Sequence, residues 1–506
     1  MRRRSLVAVL AGGGVLGWFV RRRRVGGERS GNPTGAFIGT STKLATGRGD
    51  RTAELAKMGA KSGASFVKLQ AGSRFASHER KAELQERFQL ETAEQVASVL
   101  GNMKGAVMKL GQMASYLDGG LPEPVRDALA QMQQDAPPMS YSLVQEVVRS
   151  ELGAEPDELF AYFDHEPMAA ASIGQVHRAR THDGRDVVLK VQYPGVDEAI
   201  RVDLDNSDLL FGAMSFLFSG LDPEPLVNEL RDRLVEELDY TIEAAHQRRF
   251  ADHYRGHPTI HVPDVVDEFS TRRVLCTEFA SGSKWSEVLA WSQDERNLIA
   301  ETLYRFAFGG IYRLGAFNGD PHPGNYVFNP GGQVTFLDYG LCKVFTPHEI
   351  AEFEKVIKTM VFDRDPERIV AVWEDLGVLK RADKLDPNLV VEYFSFFFEA
   401  VLKPGQRQIT AEYASDSIRR YFDLSGPFAA VMKSVTLPSF MVVIQRINLG
   451  LYALFGELEA VRDWRGLAEE IWPFVDADPT TPMGHEIRRW ELDRGLRSPG
   501  HHHREP

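Results

Sequence analysis

Apolar and polar positions alternate with different periods along this chain, and the changes of period mark its elements. Across 52–117 the spacing is helical, and Met103, Val107, Leu110, Ala114 and Leu117 form one apolar stripe. Lys109 and Gln112 lie one turn apart on the other side. A lysine there is ordinarily just solvated, but the flanking Gly105 and Gly111 weaken the helix and point to close packing against this face. Pro137-Pro138 interrupts the pattern, Ser142-x-x-Gln145 predicts a capped helix through Leu152, and a second short helix is expected at 155–163.

At Met168 the period shortens to two. A small-residue loop, Ala169-Ala170-Ala171-Ser172-Ile173-Gly174, leads into a strand at 175–180, an Asp183-Gly184 turn and a second strand at 187–191. Alternation puts Val187, Leu189 and Val191 on one face, with Val188, Lys190 and Gln192 on the other. A lysine projecting from so apolar a strand is costly unless it meets an anion or a carboxylate. One long helix is predicted for 225–255, with Glu236, Asp239 and Glu243 along one side and Leu230, Leu234, Leu238 and Ile242 along another. The acidic side supplies a partner for Lys190, although a solvated acidic face is the commoner explanation of such spacing.

A strand at 273–279 then runs into the loop Ala280-Ser281-Gly282, and a helix is expected at 294–314. The stretch Asn318-Gly319-Asp320-Pro321-His322-Pro323-Gly324-Asn325 follows as a loop. A short hairpin turning at Pro330-Gly331-Gly332 leads from it to Asp338-Tyr339-Gly340. Asp320, Asn325 and Asp338 thereby reach one end of a hairpin, the set that phosphoryl transfer needs for a hydroxyl proton and for metal ions on phosphates; ordinary turn chemistry accounts equally well for the loop taken alone. Thr346-Pro347-His348-Glu349 is a capping box, the chain reads as helical to about 474 with breaks near Pro404-Gly405 and Gly426-Pro427, and a fraying polar tail is expected from Asp476.

The first 24 residues change the picture at the membrane. Residues 5–20 are apolar between Arg2-Arg3-Arg4 and Arg21-Arg22-Arg23-Arg24, shorter than the roughly 20 residues of a spanning helix and weakened by Gly12-Gly13-Gly14. A membrane anchor or interfacial segment fits the flanking arginines, and an unstructured leader fits equally. Gly12-x-Gly14-x-x-Gly17 copies the dinucleotide fingerprint, but an arginine run and a linker to about residue 50 follow where a second strand is needed, so the match is a coincidence. With 506 residues, 43% hydrophobic and 26% charged, the chain has room for two or three domains. A net charge of −12 argues against general nucleic-acid binding, and two distant cysteines, Cys276 and Cys342, give neither a disulfide framework nor a zinc site. His501-His502-His503 reads as a disordered tail.

A loop in a hairpin, a strand lysine, a helix glutamate, a strand-to-loop hinge, an Asp-x4-Asn loop and an Asp-aromatic-Gly turn come in the order of the protein-kinase plan. Lys109-Leu110-Gly111-Gln112, Ala169 to His177, Glu237-Leu238-Asp239-Tyr240 and Asp320 to Asn325 resemble the UbiB-like atypical kinases, the AarF-domain or ABC1-type family. The resemblance runs from about 95 to 345 and implies an α+β, bilobal protein-kinase-like fold with a helical N-terminal extension and a mostly helical C-lobe. The divisions expected are a leader and linker at 1–51, the extension at 52–139, the N-lobe at 140–282, the C-lobe at 283–475 and a polar tail at 476–506.

By the same resemblance, Lys190 holds phosphates, Glu243 is its helix partner, Asp320 is the catalytic-loop aspartate, and Asn325 and Asp338 bind Mg²⁺. Ala169, Ala170, Ala171 and Ser172 line the nucleotide, Glu278 to Ala280 meet adenine, and Lys109 and Gln112 join Glu237 and Asp239 over the pocket. The activity implied is that of an atypical kinase or ATPase using Mg-ATP, in isoprenoid quinone biosynthesis or membrane lipid homeostasis; the alternative is a non-catalytic, nucleotide-gated scaffold. Its implied partners are ATP, an isoprenoid or lipid, the membrane surface and biosynthetic-complex proteins, with no nucleic acid. The implied location is the cytoplasmic side of a membrane, or alternatively the soluble cytoplasm. Asn318-Gly319 stands where kinases have His-Arg, and no Ala-Pro-Glu segment follows Asp338, so a protein-substrate platform is not expected.

Overall fold

The computed structural model describes residues 139–171, 173–198, 235–319, 321–380, 384–422, 426–436 and 439–497. The leader, the extension and the residues Lys109, Gln112, Ser172 and Asp320 lie outside them.

Helix α1 (Tyr141–Leu152) buries Val144, Val147 and Val148, which recur at helical spacing. Its N-cap is Ser140, two residues before the Ser142 expected to cap it, and Ser140 Oγ bonds Ser142 Oγ at 3.0 Å instead of closing the box. The next helix covers only Pro156–Leu159, because the chain turns extended at Phe160 and continues into strand β1 (Tyr162–Phe163). Strands β2 (Ala169–Ala171), β3 (Gly174–Arg180) and β4 (Asp186–Gln192) follow. After them come helix α2 (Tyr240–Tyr254) and strands β5 (Ile260–His261) and β6 (Val274–Glu278). The larger sheet is antiparallel in the order β1-β3-β4-β6, with β2 also paired to β3. Val187, Leu189 and Val191 are fully buried in a core shared with α1, so the alternation read along β4 holds and Lys190 projects from the opposite face.

The long helix expected over 225–255 is not continuous. Asp239 sits at φ −130°, and its carboxylate accepts from Thr241 N at 3.0 Å, so it is the N-cap of α2 and not an interior residue. Glu236 and Glu243 therefore do not share one helix face, and Ile242 is exposed while Leu238 is buried. An aspartate that captures the backbone amide two residues on competes with helix continuation, and here it wins.

A second, larger core gathers around helix α3 (Gln293–Gly309). Strand β7 (Ala316–Asn318) leads to the hairpin of β8 (Tyr326–Asn329) and β9 (Gln333–Phe336), and β5 adds to β9 in parallel. Strand β10 (Cys342–Val344) returns to pair with β7, placing Cys342 opposite Asn318. Helix α4 (Pro347–Ile357) starts at the anticipated capping box, with both reciprocal Thr346–Glu349 bonds made. Helices α5 (Ser439–Glu457), α6 (Trp464–Ile471) and α7 (Pro482–Asp493) complete the body. Among the described residues no helix is long and apolar enough to cross a membrane.

Over residues 476–497 the tail expected to fray is instead folded and docked. Thr481 Oγ1 donates to buried Glu301 at 2.5 Å, Thr480 binds Glu470 through its amide (2.7 Å) and hydroxyl (2.8 Å), and Met483 and Ile487 are buried. Arg305 joins Glu301 and Glu470 at 2.9 and 2.7 Å beneath it. Polar residues that look solvent-bound in the sequence satisfy charges buried elsewhere in the fold.

Beside this joint His257 Nδ1 accepts from Thr259 N (3.2 Å) and Ile260 N (2.9 Å), which requires an unprotonated nitrogen. Burial, reinforced by Arg305 and His253, pushes the His257 pKa down to about 3. A depressed folded-state pKa gives stability that is present above pH 6.5 and lost as pH falls toward 3. His257→Asn keeps an acceptor near Nδ1 that does not protonate. The thermal midpoint of the wild type should therefore fall more steeply than that of the variant between pH 6.5 and 4; parallel pH profiles would contradict the assignment.

Candidate active site

Three elements converge on Lys190. Strand β4 projects its side chain, and α2, one turn past its Asp239 cap, brings Glu243, 6% exposed, beneath it. Lys190 Nζ donates to Glu243 Oε1 at 2.8 Å and Oε2 at 2.9 Å, and Asp338 Oδ2 lies 3.6 Å away on the other side. Burial opposes the ammonium charge, but the Asp338 and Glu243 carboxylates outweigh it and hold the Lys190 pKa above its ordinary value. The Glu243 carboxyl is lifted above its usual range by burial, with Lys190 pulling it back, so this carboxylate depends on the ammonium to stay charged.

Asp338 is held by its own turn. Gly340 N donates to Asp338 Oδ1 at 2.9 Å, and Asn318 Nδ2 donates to the Asp338 carbonyl at 2.5 Å. A Cβ on Gly340 would lie 3.3 Å from Asp338 Oδ1 and 3.5 Å from Glu243 Oε2, so the glycine keeps this side of the carboxylates open. Tyr339 points the opposite way, fully buried against Phe250 of α2 at 5.1 Å. The tyrosine thus clamps the turn to α2 while the aspartate faces Lys190. Asn325 closes the 3-10 turn Pro323–Asn325, and its carbonyl accepts from Leu337 N at 2.9 Å, which brings Asn325 and Asp338 to the same end of the β8–β9 hairpin. Oxygen donors of this kind, one carboxylate and one amide, fit magnesium, which takes few protein ligands and completes its shell with phosphates and water.

The three alanines are not a loop. Ala169 to Ala171 form an edge strand in register with Val176, Gln175 and Gly174 of β3. Alanine is small enough for an edge facing a ligand, yet it carries no penalty against extended backbone as glycine does. The glycine that matters is Gly174, where a Cβ would come 2.2 Å from Val191 O. At the end of β6, Glu278 N donates to Asp264 O and Phe279 N donates to Asp186 O, both at 3.0 Å. Alternation then turns the Glu278 carbonyl toward the edge away from β4, and Ala280 follows in the irregular chain past the end of β6.

Glu237 and Asp239 lie beside the same end of the sheet. Gln192 Nε2 donates to Glu237 O at 3.3 Å, Tyr240 N donates to Arg272 O at 2.9 Å, and Arg272 Nε approaches Asp239 at 3.9 Å. Two contributors escaped the sequence reading. The ring of Tyr240 lies 5.1 Å from Lys190 Nζ, a cation–π contact signalled only by the residue's place directly after Asp239. Gly450 of α5 lets that helix pack on the loop beyond Asp320, since a Cβ there would fall 2.3 Å from Pro321 Cγ; a helix glycine can mark a close approach, but the sequence does not name the loop that lies opposite.

The model of the ABC1 atypical kinase-like domain matches residues 131–373. The atypical kinase COQ8 of Saccharomyces cerevisiae, a mitochondrial protein, is 32% identical over 56% of this chain and 57% of its own length. The chain belongs to the ABC1 atypical kinase-like family. The chloroplastic ACTIVITY OF BC1 COMPLEX KINASE 8 of Arabidopsis thaliana is also 32% identical, over 54% of this chain and 37% of its own length. The solved complex of Rv3197 with erythromycin, from Mycobacterium tuberculosis, is 31% identical, with a TM-score of 0.57; the match covers 78% of this chain and all of that one. The chain spans about half the length of the curated relatives it matches. Within this ABC1 chain the family match encloses Lys190, Glu243, Asn325 and Asp338.

Proposed function

We propose that this ABC1 family chain is a Mg-ATP-dependent atypical kinase or ATPase with a bilobal kinase-like body. The observation that carries the reading is the bidentate contact of Lys190 with Glu243 at 2.8 and 2.9 Å, with Asp338 at 3.6 Å. A buried lysine aimed by one carboxylate and faced by a second suits anionic phosphates, because its charge is fixed and its direction set before the ligand arrives. Lys190 holds the α- and β-phosphates and Glu243 aims it, while the backbone of Glu278 and Ala280 meets adenine. The edge strand Ala169–Ala171 and Ser172 lie over the phosphates. Asn325 and Asp338 would hold magnesium, which neutralises phosphate charge when bound. Asp320 takes the proton of an acceptor hydroxyl or orients water.

The acceptor is small. Between Gly340 and the capping box at Thr346 the chain makes only β10, which leaves no segment for a protein-substrate platform. Together with the family of the relatives, this favours an isoprenoid or lipid acceptor at a membrane surface, in quinone biosynthesis or lipid homeostasis. The scaffold reading draws on β2: a strand paired to β3 closes over phosphates less freely than a glycine loop, which suits binding without turnover.

Steady-state ATP turnover with Mg²⁺ separates the two. Asp338→Asn should reduce the rate by roughly 100-fold or more, the scale of losing one preorganised electrostatic partner. Equal residual rates in wild type and variant would overturn the enzyme reading and leave the scaffold. Lys109 and Gln112 cap the pocket with Glu237 and Asp239 in this proposal, so Lys109→Ala should change ATP affinity by calorimetry. An unchanged affinity would reduce both to structural residues.

A further inference from the structure

Helix α2 is anchored at both ends, and its far end is held by the last described helix. Trp490 of α7 lies parallel to Tyr254, with ring centroids 6.5 Å apart at 9°, and edge-on to His257 at 4.6 Å. Its Nε1 donates to the Arg255 carbonyl at 3.2 Å. Arg494 donates to the same carbonyl at 2.7 Å and to the Asp252 carbonyl at 2.9 Å. These carbonyls belong to the last turn and C-cap of α2, the groups a helix leaves without internal partners, and a guanidinium there also complements the helix dipole.

The base of α7 is fixed to the helical body. Thr480 and Thr481 bind Glu470 and Glu301, and Gly484 comes so close to the Arg305–Glu470 pair that a Cβ would lie 2.7 Å from each partner. A bridge thus runs from α3 and α6, through α7, to the C-terminal end of α2. Glu243 sits near the opposite end of that helix, about 16 Å away at 1.5 Å per residue, and a helix of this length moves as a rod. Rotating or tilting α2 at Tyr254 would swing Glu243 relative to β4, where the contact with Lys190 has no slack.

We infer that α7 is a tether that sets the position of α2, and that Trp490 and Arg494 are positioning residues for the Lys190–Glu243 contact. The inference rests on the reading of that contact as the phosphate-holding pair. Both residues act on backbone carbonyls and on one ring face, so the tether needs neither to approach the ligand.

The test uses the full chain with Arg494→Ala, Trp490→Ala and the conservative Trp490→Phe, measured well below the unfolding midpoint. Amide hydrogen exchange across Tyr240–Tyr254 and calorimetric affinity for a non-hydrolysable Mg-ATP analogue are recorded for each, with Glu243→Gln alongside. Arg494 is exposed, so its alanine variant does not compromise a core. Trp490→Ala and Arg494→Ala should each raise exchange along α2 and weaken binding by about 5-fold, the lower range of coupling between separated sites, while Trp490→Phe restores both. Retained protection of α2 would overturn the tether, as would lost protection with unchanged affinity while Glu243→Gln weakens binding. If Glu243→Gln leaves affinity unchanged, the nucleotide reading fails instead, and the exchange data alone decide the tether.

Discussion

A lysine ammonium held in a largely dry cleft is the constraint around which the rest of this fold is arranged. Removing such a charge from water costs several kcal/mol unless carboxylates are set against it with good geometry. Glu243 and Asp338 meet that condition from two different elements, and each carboxylate is itself secured by neighbours. Asp239 starts α2 at the point that brings Glu243 under Lys190, while Tyr339 and Phe250 lock the Asp338 turn to the same helix. Removing Lys190 would leave a buried carboxyl that its surroundings already push toward protonation. The sheet, α2 and the β8–β9 hairpin are therefore interdependent through one ion cluster.

Much of this was legible in advance wherever a local rule and the tertiary fold agree. Alternation along β4 assigned the apolar face to Val187, Leu189 and Val191 and singled out Lys190, because a period of two leaves no choice of side once one face is buried. The Pro330-Gly331-Gly332 turn and the Thr346–Glu349 box were equally direct, since their chemistry is complete within a few residues. Cross-sheet partnership was harder. Three carboxylates at helical spacing were candidates for Lys190, and only the break at Asp239 separates Glu243 from the others.

The misreadings share one cause, which is that composition does not reveal what lies opposite. Three alanines look like a loop until β3 is seen to pair with them. The stretch after Asp476 looks like solvent-facing tail until Glu301, Glu470 and Arg305 are found beneath it, themselves in need of partners. Gly450 and Trp490 carry no motif at all, and their significance comes from close approach to Pro321 and to the end of α2. Sites made by shape or by distant backbone carbonyls leave little trace in a single sequence, whereas charged and capping residues do.

The central claim is that the Lys190 cluster is a preformed phosphate site. A crystal structure of the full chain with Mg²⁺ and a non-hydrolysable ATP analogue tests it most directly. The account predicts the α- and β-phosphates against Lys190 with its Glu243 contact intact, the metal on Asn325 and Asp338, and adenine at the Glu278–Ala280 edge. A nucleotide bound elsewhere, or a Lys190 that remains closed on its two carboxylates with the phosphates out of reach, would contradict it.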